Sequence, residues 1–498
     1  MKKYFFTTII TLTLFSTLIS CSDEFVAEKP AYSIDSENYF NSKEEYDNAL
    51  VAAYDLLQST YVNVLLGEIA SDNTLCGGES PTDVIGFQQI DDMIHTPVNS
   101  NLKDVWGWMF AGVQRANYIL EFKDKTDFTG KTQVIAEARF LRAYYQFELV
   151  KWFGGIPMKG DARFKIGDEK IIGRASVADV YASIEADLTF AAANLSPNAS
   201  QTGRATKGAA LALLGKAYLF QGKFSQAATA LDGVITSGKY SLVTDYNAMF
   251  EAEGENGPES VFEVQYTDIE GAGFGCLQCS EGNVAVGFNG IRNYSGPLFS
   301  SGYSFNIPTQ ESADAFETGD KRKAVAILDI NAWASANASY DNGNGVTFGK
   351  GNEDTGYFNR KYLPRKRSSA AQGDLNLTNP NNYRAIRYAD VLLMAAEAYN
   401  RGGINDVKAK EYLNQVRRRA FGDNTHDITT GGAQLTEDIL TERRVELLGE
   451  GHRFFDLVRT GKAVSKIPGF KANKNELFPL PIEEIQFAAG NWAQNPGY

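Results

Sequence analysis

Aromatic and hydrogen-bonding side chains are interleaved in two stretches of the chain that show no sustained helical or strand period. Rings offer flat apolar faces, and amide, carboxylate and guanidinium groups beside them can hold the polar groups of a ligand. This is the chemistry of noncovalent binding. The first stretch contains Asp72, Asn73, Phe87 and His95, and the second contains Asn289, Arg292, Asn293, Tyr294, Phe299, Tyr303 and Phe305, with Trp333 in an insertion further on.

Each of these aromatic rings could instead pack its own loop onto the rest of the protein, and for any single ring that is the simpler interpretation. Tyr294, Tyr303 and Trp333 are the strongest ligand candidates because they have polar neighbours and little apolar sequence around them. The full set of predicted ligand-binding residues is Asp72, Asn73, Phe87, Asn289, Arg292, Tyr294, Tyr303 and Trp333.

A run of charged residues near the end of the chain could be mistaken for a catalytic centre. Opposite charges recur in it at a spacing of four residues, and Leu447, Leu448, Phe454 and Phe455 flank them. Because no nucleophile or metal constellation accompanies the run, the pattern predicts paired charges that hold a helix on the core. The run comprises Glu442, Arg443, Arg444, Glu446, Glu450, His452, Arg453 and Asp456.

The N-terminus predicts export. Residues 1–3 are basic, residues 4–19 are apolar and uncharged, and the run ends in Leu-Ile-Ser-Cys, which is typical of a signal peptide over residues 1–20. The ending resembles the lipobox of bacterial lipoproteins, in which Cys21 becomes the lipidated first residue. Several acyl chains on one cysteine would anchor the protein stably, so the compartment is expected to lie outside the cytoplasm.

The other three cysteines are then expected to serve structure. Cys276 and Cys279 form a CxxC among glycines, which does not favour a redox role. A disulfide is predicted either within this pair or from one member to Cys76. Zinc would need two more ligands, and Cys76 with His95 is the only visible supply. No metal or cofactor is therefore predicted, although a structural calcium ion built from loop oxygens stays open; the Asp/Asn/Gly run at 341–345 fits an exposed turn better than a calcium loop.

Composition restricts the partners. The chain of 498 residues is 43% apolar and 22% charged, as in a soluble globular protein with a sizeable core. Its formal net charge of −13 becomes −15 once Lys2 and Lys3 leave with the signal peptide, which argues against nucleic acid or an anionic membrane surface as a partner. Three histidines leave little for histidine-based catalysis.

Helical patterns surround the two binding stretches. Residues 204–242 have the spacing of one tetratricopeptide repeat, with Gly215 and Ala227 where two helices cross and Gly222 at the turn. One such hairpin cannot bury its apolar face alone, so more are expected on either side. Further helices are predicted from Ser42, and at 104–122, 131–153, 176–193, 383–400, 405–421 and 436–458, with a strand at 259–266 and a long loop at 70–102.

Six strings in order along the chain resemble the SusD/RagB family of surface lipoproteins, which serve nutrient uptake in Bacteroidetes-type bacteria. Together with the central repeat they cover nearly the whole mature chain. They are VWGWMFAGVQRANYIL, AEARFLRAYYQFELVKWFGGIPM, ESVFEVQY, RYADVLLMAAEAYNRGG, ERRVELLGEGHRFFDLVRTGK and the ending LFPLPIEEI…QNPGY.

The resemblance implies one mainly α domain over residues 21–498. Four tetratricopeptide-like units would form one side, and irregular loops with short strands would form a ligand-binding side. The N-terminal helical part would cover about 36–245, the loop-rich part about 250–382 and the C-terminal helical part about 383–498.

The same resemblance implies a function. The protein would capture oligosaccharides at the cell surface and pass them, uncleaved, to a SusC-like TonB-dependent outer-membrane transporter. Alternatives are the same fold with a peptide or another nutrient as ligand, a glycoside hydrolase, which would need two facing carboxylates, and a structural repeat adaptor.

Overall fold

The computed structural model describes residues 38–271, 273–368 and 370–498. The predicted signal peptide and Cys21 lie outside the described residues. The described chain is mainly helical, with three two-stranded antiparallel ribbons, so the predicted fold class is confirmed.

The N-terminal part begins with a helix where the sequence predicted one. Ser42 caps it by accepting a hydrogen bond from the backbone N–H of Glu45. The predicted loop at 70–102 is wrong in part, because it contains strand β1, helix α3 and the first turn of α4, elements too short to show a period in sequence. The elements are α1 Lys43–Asp55, α2 Tyr61–Ile69, β1 Thr74–Leu75, α3 Ile85–Asp91 and α4 Ser100–Glu121.

The next helices contain the central repeat. Helix α5 (Lys131–Phe153) has the predicted bounds and is buried nearly all round. Helix α6 (Val177–Asn194) follows, and α7 (Lys207–Phe220) with α8 (Phe224–Ile235) forms the predicted hairpin. A Cβ on Gly215 would lie 2.5 Å from Leu231, which explains the small residue at this crossing.

The loop-rich part holds short elements only. Strand β2 confirms the predicted strand at 259–266, and the rest of the region had no predicted element. The bounds are β2 Ser260–Val264, α9 Val284–Asn289, β3 Ile307–Pro308, α10 Gln310–Asp314, α11 Lys323–Ala326, β4 Ile327–Asp329, α12 Ile330–Ala336 and β5 Tyr357–Asn359. Residues 341–345 form an exposed turn with Asp341 and Asn342 in the left-handed region, as predicted.

The C-terminal part corrects two predicted helices. The helix at 383–400 is a strand, β6, followed by α13; β6 pairs with β2. The helix at 436–458 is broken between α15 and α16, where Gly449 and Gly451 have φ of +85° and +83°. The elements are β6 Tyr383–Arg387, α13 Tyr388–Arg401, α14 Asp406–Phe421, α15 Gly432–Glu446, α16 Arg453–Arg459, α17 Ala463–Lys466 and α18 Ile482–Phe487.

Helices α4 to α8 each pack on the next, α8 packs on α13, and α13 packs on α14 and α15. This stack of hairpins, which we call the helical scaffold, contains the main hydrophobic core. One smaller hydrophobic cluster lies in the loop-rich part, and another joins that part to Val445 and Leu448 at the end of α15. The run 43–69 is long and apolar enough to cross a membrane, but 67% of its most apolar window is buried inside the protein, as in a core helix.

The charged run is buried as ion pairs. Glu446 accepts hydrogen bonds from Arg322, Arg387 and Arg419 at 2.9, 2.9 and 2.6 Å, and Glu450 pairs with Arg387 and Lys361. The predicted structural role is confirmed. The partners, however, come mostly from other elements and not from the neighbouring helical turn.

Candidate functional site

The two binding stretches are adjacent in space, and backbone pairing joins them. Strand β1 pairs with β3, with Thr74 opposite Pro308 and Leu75 opposite Ile307. Beyond this ribbon the N–H of Gly78 donates to the carbonyl of Ser304 at 2.7 Å. The two stretches can therefore contribute to one site.

No disulfide is needed for that adjacency. Cys276 and Cys279 are bonded to each other, and Cys76 is a buried free thiol whose pKa is raised by burial. The predicted alternative of a bond to Cys76 is wrong: Cys76 lies in the main core, and the disulfide pair lies on an exposed loop.

Asp72 and Asn73 attach the first stretch to the charged run. Asp72 forms two hydrogen bonds of 2.7 Å with Arg453, and the Oδ1 atom of Asn73 accepts one from Arg444 at 2.8 Å. Burial favours the neutral form of Asp72, but Arg453 outweighs it and lowers the pKa of that carboxyl. These oxygens already have partners, so we assign both residues to the structure and not to the ligand.

Three other predicted residues are buried. Phe87 packs edge to face against Phe288 and Phe305. His95, also considered from sequence, hydrogen-bonds the hydroxyl of Tyr498 at 2.7 Å. Asn289 is 4% exposed, which leaves it without a surface for a ligand. Burial places all three in the packing role.

Tyr294 and Trp333 pack against each other. Tyr294 is 8% exposed, and its hydroxyl accepts the indole N–H of Trp333 at 2.9 Å and donates to the carbonyl of Pro297. Trp333, which is partly buried, also contacts Phe299. This cluster attaches the insertion that begins at β4, so the alternative of a ring packing its own loop describes Tyr294 best.

Arg292 and Tyr303 remain open to a ligand. The Arg292 side chain is 17% exposed and makes long ion pairs, 3.7 Å to Glu79 and 3.5 Å to Asp83. One guanidinium N–H donates to the carbonyl of Tyr303 at 3.1 Å, and the Nε atom has no hydrogen-bond partner in the part of the chain that the structure describes. The charge is therefore held in place without being saturated.

Tyr303 is partly buried, and Phe274 lies beside it. The two rings are 6.0 Å apart in a T-shaped arrangement, and Phe274 is 60% exposed. The Tyr303 hydroxyl is hydrogen-bonded to Asn376, and burial raises its pKa. We call Phe274, Arg292 and Tyr303, with the flanking Asp83 and Asn376, the Arg292 surface.

Phe274 and Asn376 are absent from the residues predicted by sequence. Phe274 sits in Gly-Phe-Gly-Cys directly before the disulfide, and an aromatic ring between glycines has no local apolar partner. That local isolation was an available signal for exposure. Asn376 had none, because its contact with Tyr303 joins residues far apart in sequence.

A wider groove of about 770 Å³ runs between residues 199–206 and strand β2. Arg204, which lines this groove, pairs with Glu137 at 3.3 Å and lies over the ring of Tyr54. Its charge is therefore already paired within the protein, and we do not choose this groove as the ligand site. Within the described ranges, no group of three or more His, Cys, Asp and Glu side chains is placed to hold a metal ion.

Comparison with known proteins gives two family matches. A model described as "SusD family" matches residues 258–498, and one described as "Starch-binding associating with outer membrane" matches residues 24–219. SusD-like protein P38 of Formosa agariphila is 30% identical, covering 93% of this chain and 93% of its own.

Two solved structures share the fold over nearly the whole chain. One is a laminarin binding SusD-like protein, 33% identical with a TM-score of 0.82, covering 92% of this chain and 100% of its own. The other is surface glycan-binding protein A from Bacteroides thetaiotaomicron in complex with laminarihexaose, 27% identical with a TM-score of 0.80, covering 91% and 99%.

Proposed function

Because the chain belongs to the SusD family, we propose that it is a non-catalytic glycan-binding lipoprotein of the outer membrane. It would be anchored through Cys21, capture oligosaccharides outside the cell and deliver them to a SusC-like TonB-dependent transporter. Laminarin is the first ligand to test, since two proteins of the same fold are named for binding laminarin or laminarihexaose.

The observation that carries the binding role is the Arg292 surface. Phe274 and Tyr303 offer ring faces to the C–H groups of a sugar. Arg292 and Asn376 can donate hydrogen bonds to its hydroxyls, while Asp83 can accept them. All of these contacts with a sugar would be noncovalent. The helical scaffold, on which the loops pack, holds them in position.

Isothermal titration tests the binding role. The chain from Ser22 is titrated with laminarihexaose and a panel of plant, host and microbial oligosaccharides, and the products are checked for cleavage. We expect laminarihexaose to bind and to be recovered intact. Failure of every glycan while a peptide binds would favour another nutrient, and cleavage would identify a glycoside hydrolase.

A matched pair of variants locates the site. Phe274→Ala should weaken binding by about fivefold to tenfold, since an aromatic contact contributes about 1 kcal/mol. Phe487, equally exposed at 61%, lies on α18 outside the Arg292 surface, and Phe487→Ala should bind like the wild type. If Phe274→Ala and Phe487→Ala bound with equal affinity, the ligand would bind outside the Arg292 surface.

The anchor and the partner have separate tests. Cys21→Ala should release the protein from the outer-membrane fraction without changing its affinity for glycan, because every residue of the Arg292 surface is kept. The anchored chain should co-purify with a SusC-like transporter. A chain that binds no glycan and still co-purifies would instead be a structural adaptor.

A further inference from the structure

A separate pocket of about 310 Å³ lies between strand β1, the end of α3, the start of α10 and the turn after α17. Its volume is at the lower end for a small-molecule site, about 300–1,000 Å³. We call it the Thr74 pocket, and the residues that matter for its chemistry are Leu75, Thr74, Asp91, Asp92, Lys466 and Pro468.

Thr74 has a hydroxyl group that none of the described residues satisfies. The residue is 1% exposed, and its Oγ1 atom has no hydrogen-bond partner among residues 38–271, 273–368 and 370–498. A buried polar group left unpaired costs about 1–3 kcal/mol. A hydroxyl group of a ligand in the pocket would remove that cost.

The other walls supply acceptors and an aliphatic surface. One carboxylate oxygen of Asp91 accepts the N–H of Cys76 at 2.8 Å, which leaves its second oxygen for a ligand, and Asp92 is exposed. Leu75 and Pro468 add carbon surface. Hydroxyl, carboxylate and aliphatic groups together match one sugar unit, whose hydroxyls surround C–H faces.

The pocket lies close to the Arg292 surface. Thr74 and Glu79 are five residues apart, so their Cα atoms are separated by at most about 18 Å. The N–H of Glu79 donates to the carboxylate of Asp83, which belongs to the Arg292 surface, at 2.8 Å. A short oligosaccharide chain can therefore reach from one to the other.

We propose that the Thr74 pocket is a second sugar subsite, which takes one neutral hexose unit of a glycan whose other units lie on the Arg292 surface. This inference rests on the proposed function. It predicts that the protein measures glycan length, because only a ligand long enough to reach the pocket gains the extra contacts.

The test compares Thr74→Val and Asp92→Asn with the wild type against laminari-oligosaccharides of two to six units. Thr74→Val keeps the shape and removes the unpaired hydroxyl, so it should leave stability unchanged or raised. We expect fivefold to thirtyfold weaker binding of the longest ligands and unchanged binding of the shortest. Thr229→Val, on an exposed face of α8, is the control and should bind every ligand like the wild type.

The outcomes separate this inference from the function beneath it. Wild-type affinity for all lengths in both pocket variants, with loss in Phe274→Ala, would overturn the subsite and keep the glycan site. Equal losses at every length would also overturn it. A wild type that binds no oligosaccharide would overturn both.

Discussion

Arg387 in the helical scaffold and Arg292 in the loop-rich part carry the same guanidinium group in opposite surroundings. Arg387 is 1% exposed and donates to Glu259, Glu446 and Glu450 at 2.7–2.9 Å. Burial lowers the pKa of this group, but Glu450 and Glu446 outweigh it and raise the pKa well above its usual value. Every donor direction is occupied within the fold.

Arg292 has longer ion pairs, and one of the two carboxylates that it faces, Glu79, is 79% exposed. Screening by water makes such pairs weak, so they orient the side chain without satisfying it. The difference teaches that residue type does not separate these two arginines. What separates them is the number and length of the hydrogen bonds and ion pairs that their guanidinium groups make.

Removing Arg387 should therefore have the largest effect. Arg387→Ala removes one cation from three buried carboxylates, which keep only their pairs with Arg322, Arg419 and Lys361 within the described ranges. Losing one partner of a buried ion pair costs about 3–5 kcal/mol of unfolding free energy. Urea denaturation followed by circular dichroism measures it. Arg418→Ala, which removes an exposed arginine paired with Asp427, should cost less than about 1 kcal/mol. Similar midpoints for both would mean that the buried pairs do not hold the scaffold together.

Glu68 is a buried acidic residue to compare with Arg387, because it forms no ion pair within the described ranges. Burial raises its pKa to about 7, even though Gly451 donates a hydrogen bond to it and Lys361 favours its charged form, while Glu450 opposes that form. The folded chain keeps a proton here that the unfolded chain releases near pH 4.5. Stability from this group is thus present at low pH and lost as pH rises to 7.

Glu68→Gln cannot ionise and should escape that loss. Relative to the wild type, its unfolding free energy should rise between pH 4.5 and 8 by up to about 3 kcal/mol. Urea titrations at pH 5 and pH 8 measure the change. A difference between variant and wild type that stays constant with pH would show that Glu68 is ionised in the folded state at both.

The helical scaffold could be predicted from sequence where its signal is local. The bounds of α5 follow from a continuous apolar pattern, and Ser42 and Ser176 mark helix starts by capping. The helix predicted at 383–400 failed at its first five residues because β6 is defined by pairing with β2, far away in the sequence. Local periodicity cannot show such a partner.

The candidate site was predictable as a region and less so as residues. The sequence placed Arg292 and Tyr303 in a binding stretch, and both remain candidates. From sequence, Tyr294 and Trp333 rank with Tyr303 because all three have polar neighbours. In the structure, however, Trp333 donates a hydrogen bond to Tyr294, 39 residues earlier in the chain. Which ring is exposed depends on such distant contacts, and at Phe274 the only local signal is its place between two glycines.

Removing Arg292 should lower glycan affinity, whereas removing Arg387 should lower the free energy of unfolding. Arg292→Ala should lower glycan affinity by about 10- to 100-fold, the value of a hydrogen bond to a charged group, about 1.5–3 kcal/mol, and should change unfolding free energy by less than about 1 kcal/mol. Titration with laminarihexaose and urea denaturation give the two numbers. Arg163→Ala, similarly exposed and paired with Glu121, is the control for affinity. If Arg292→Ala lowered the free energy of unfolding and left glycan affinity unchanged, Arg292 would have a structural role and not a ligand-binding one.

The Cys276–Cys279 disulfide should have the smallest effect, because it closes only the short loop next to Phe274. The double variant Cys276→Ser/Cys279→Ser leaves Phe274 to be ordered on binding, at a cost of about 0.5–1 kcal/mol, or a twofold to fivefold loss of affinity. Titration of laminarihexaose with and without reductant measures it.

Reductant should lower the affinity of the wild type for laminarihexaose. It should not change the affinity of the double variant, since Cys76 is a free thiol already. A response of the double variant would move the redox effect away from this loop, and an unaffected wild type would mean that the glycines and the contact with Tyr303 hold Phe274 in place without the bond.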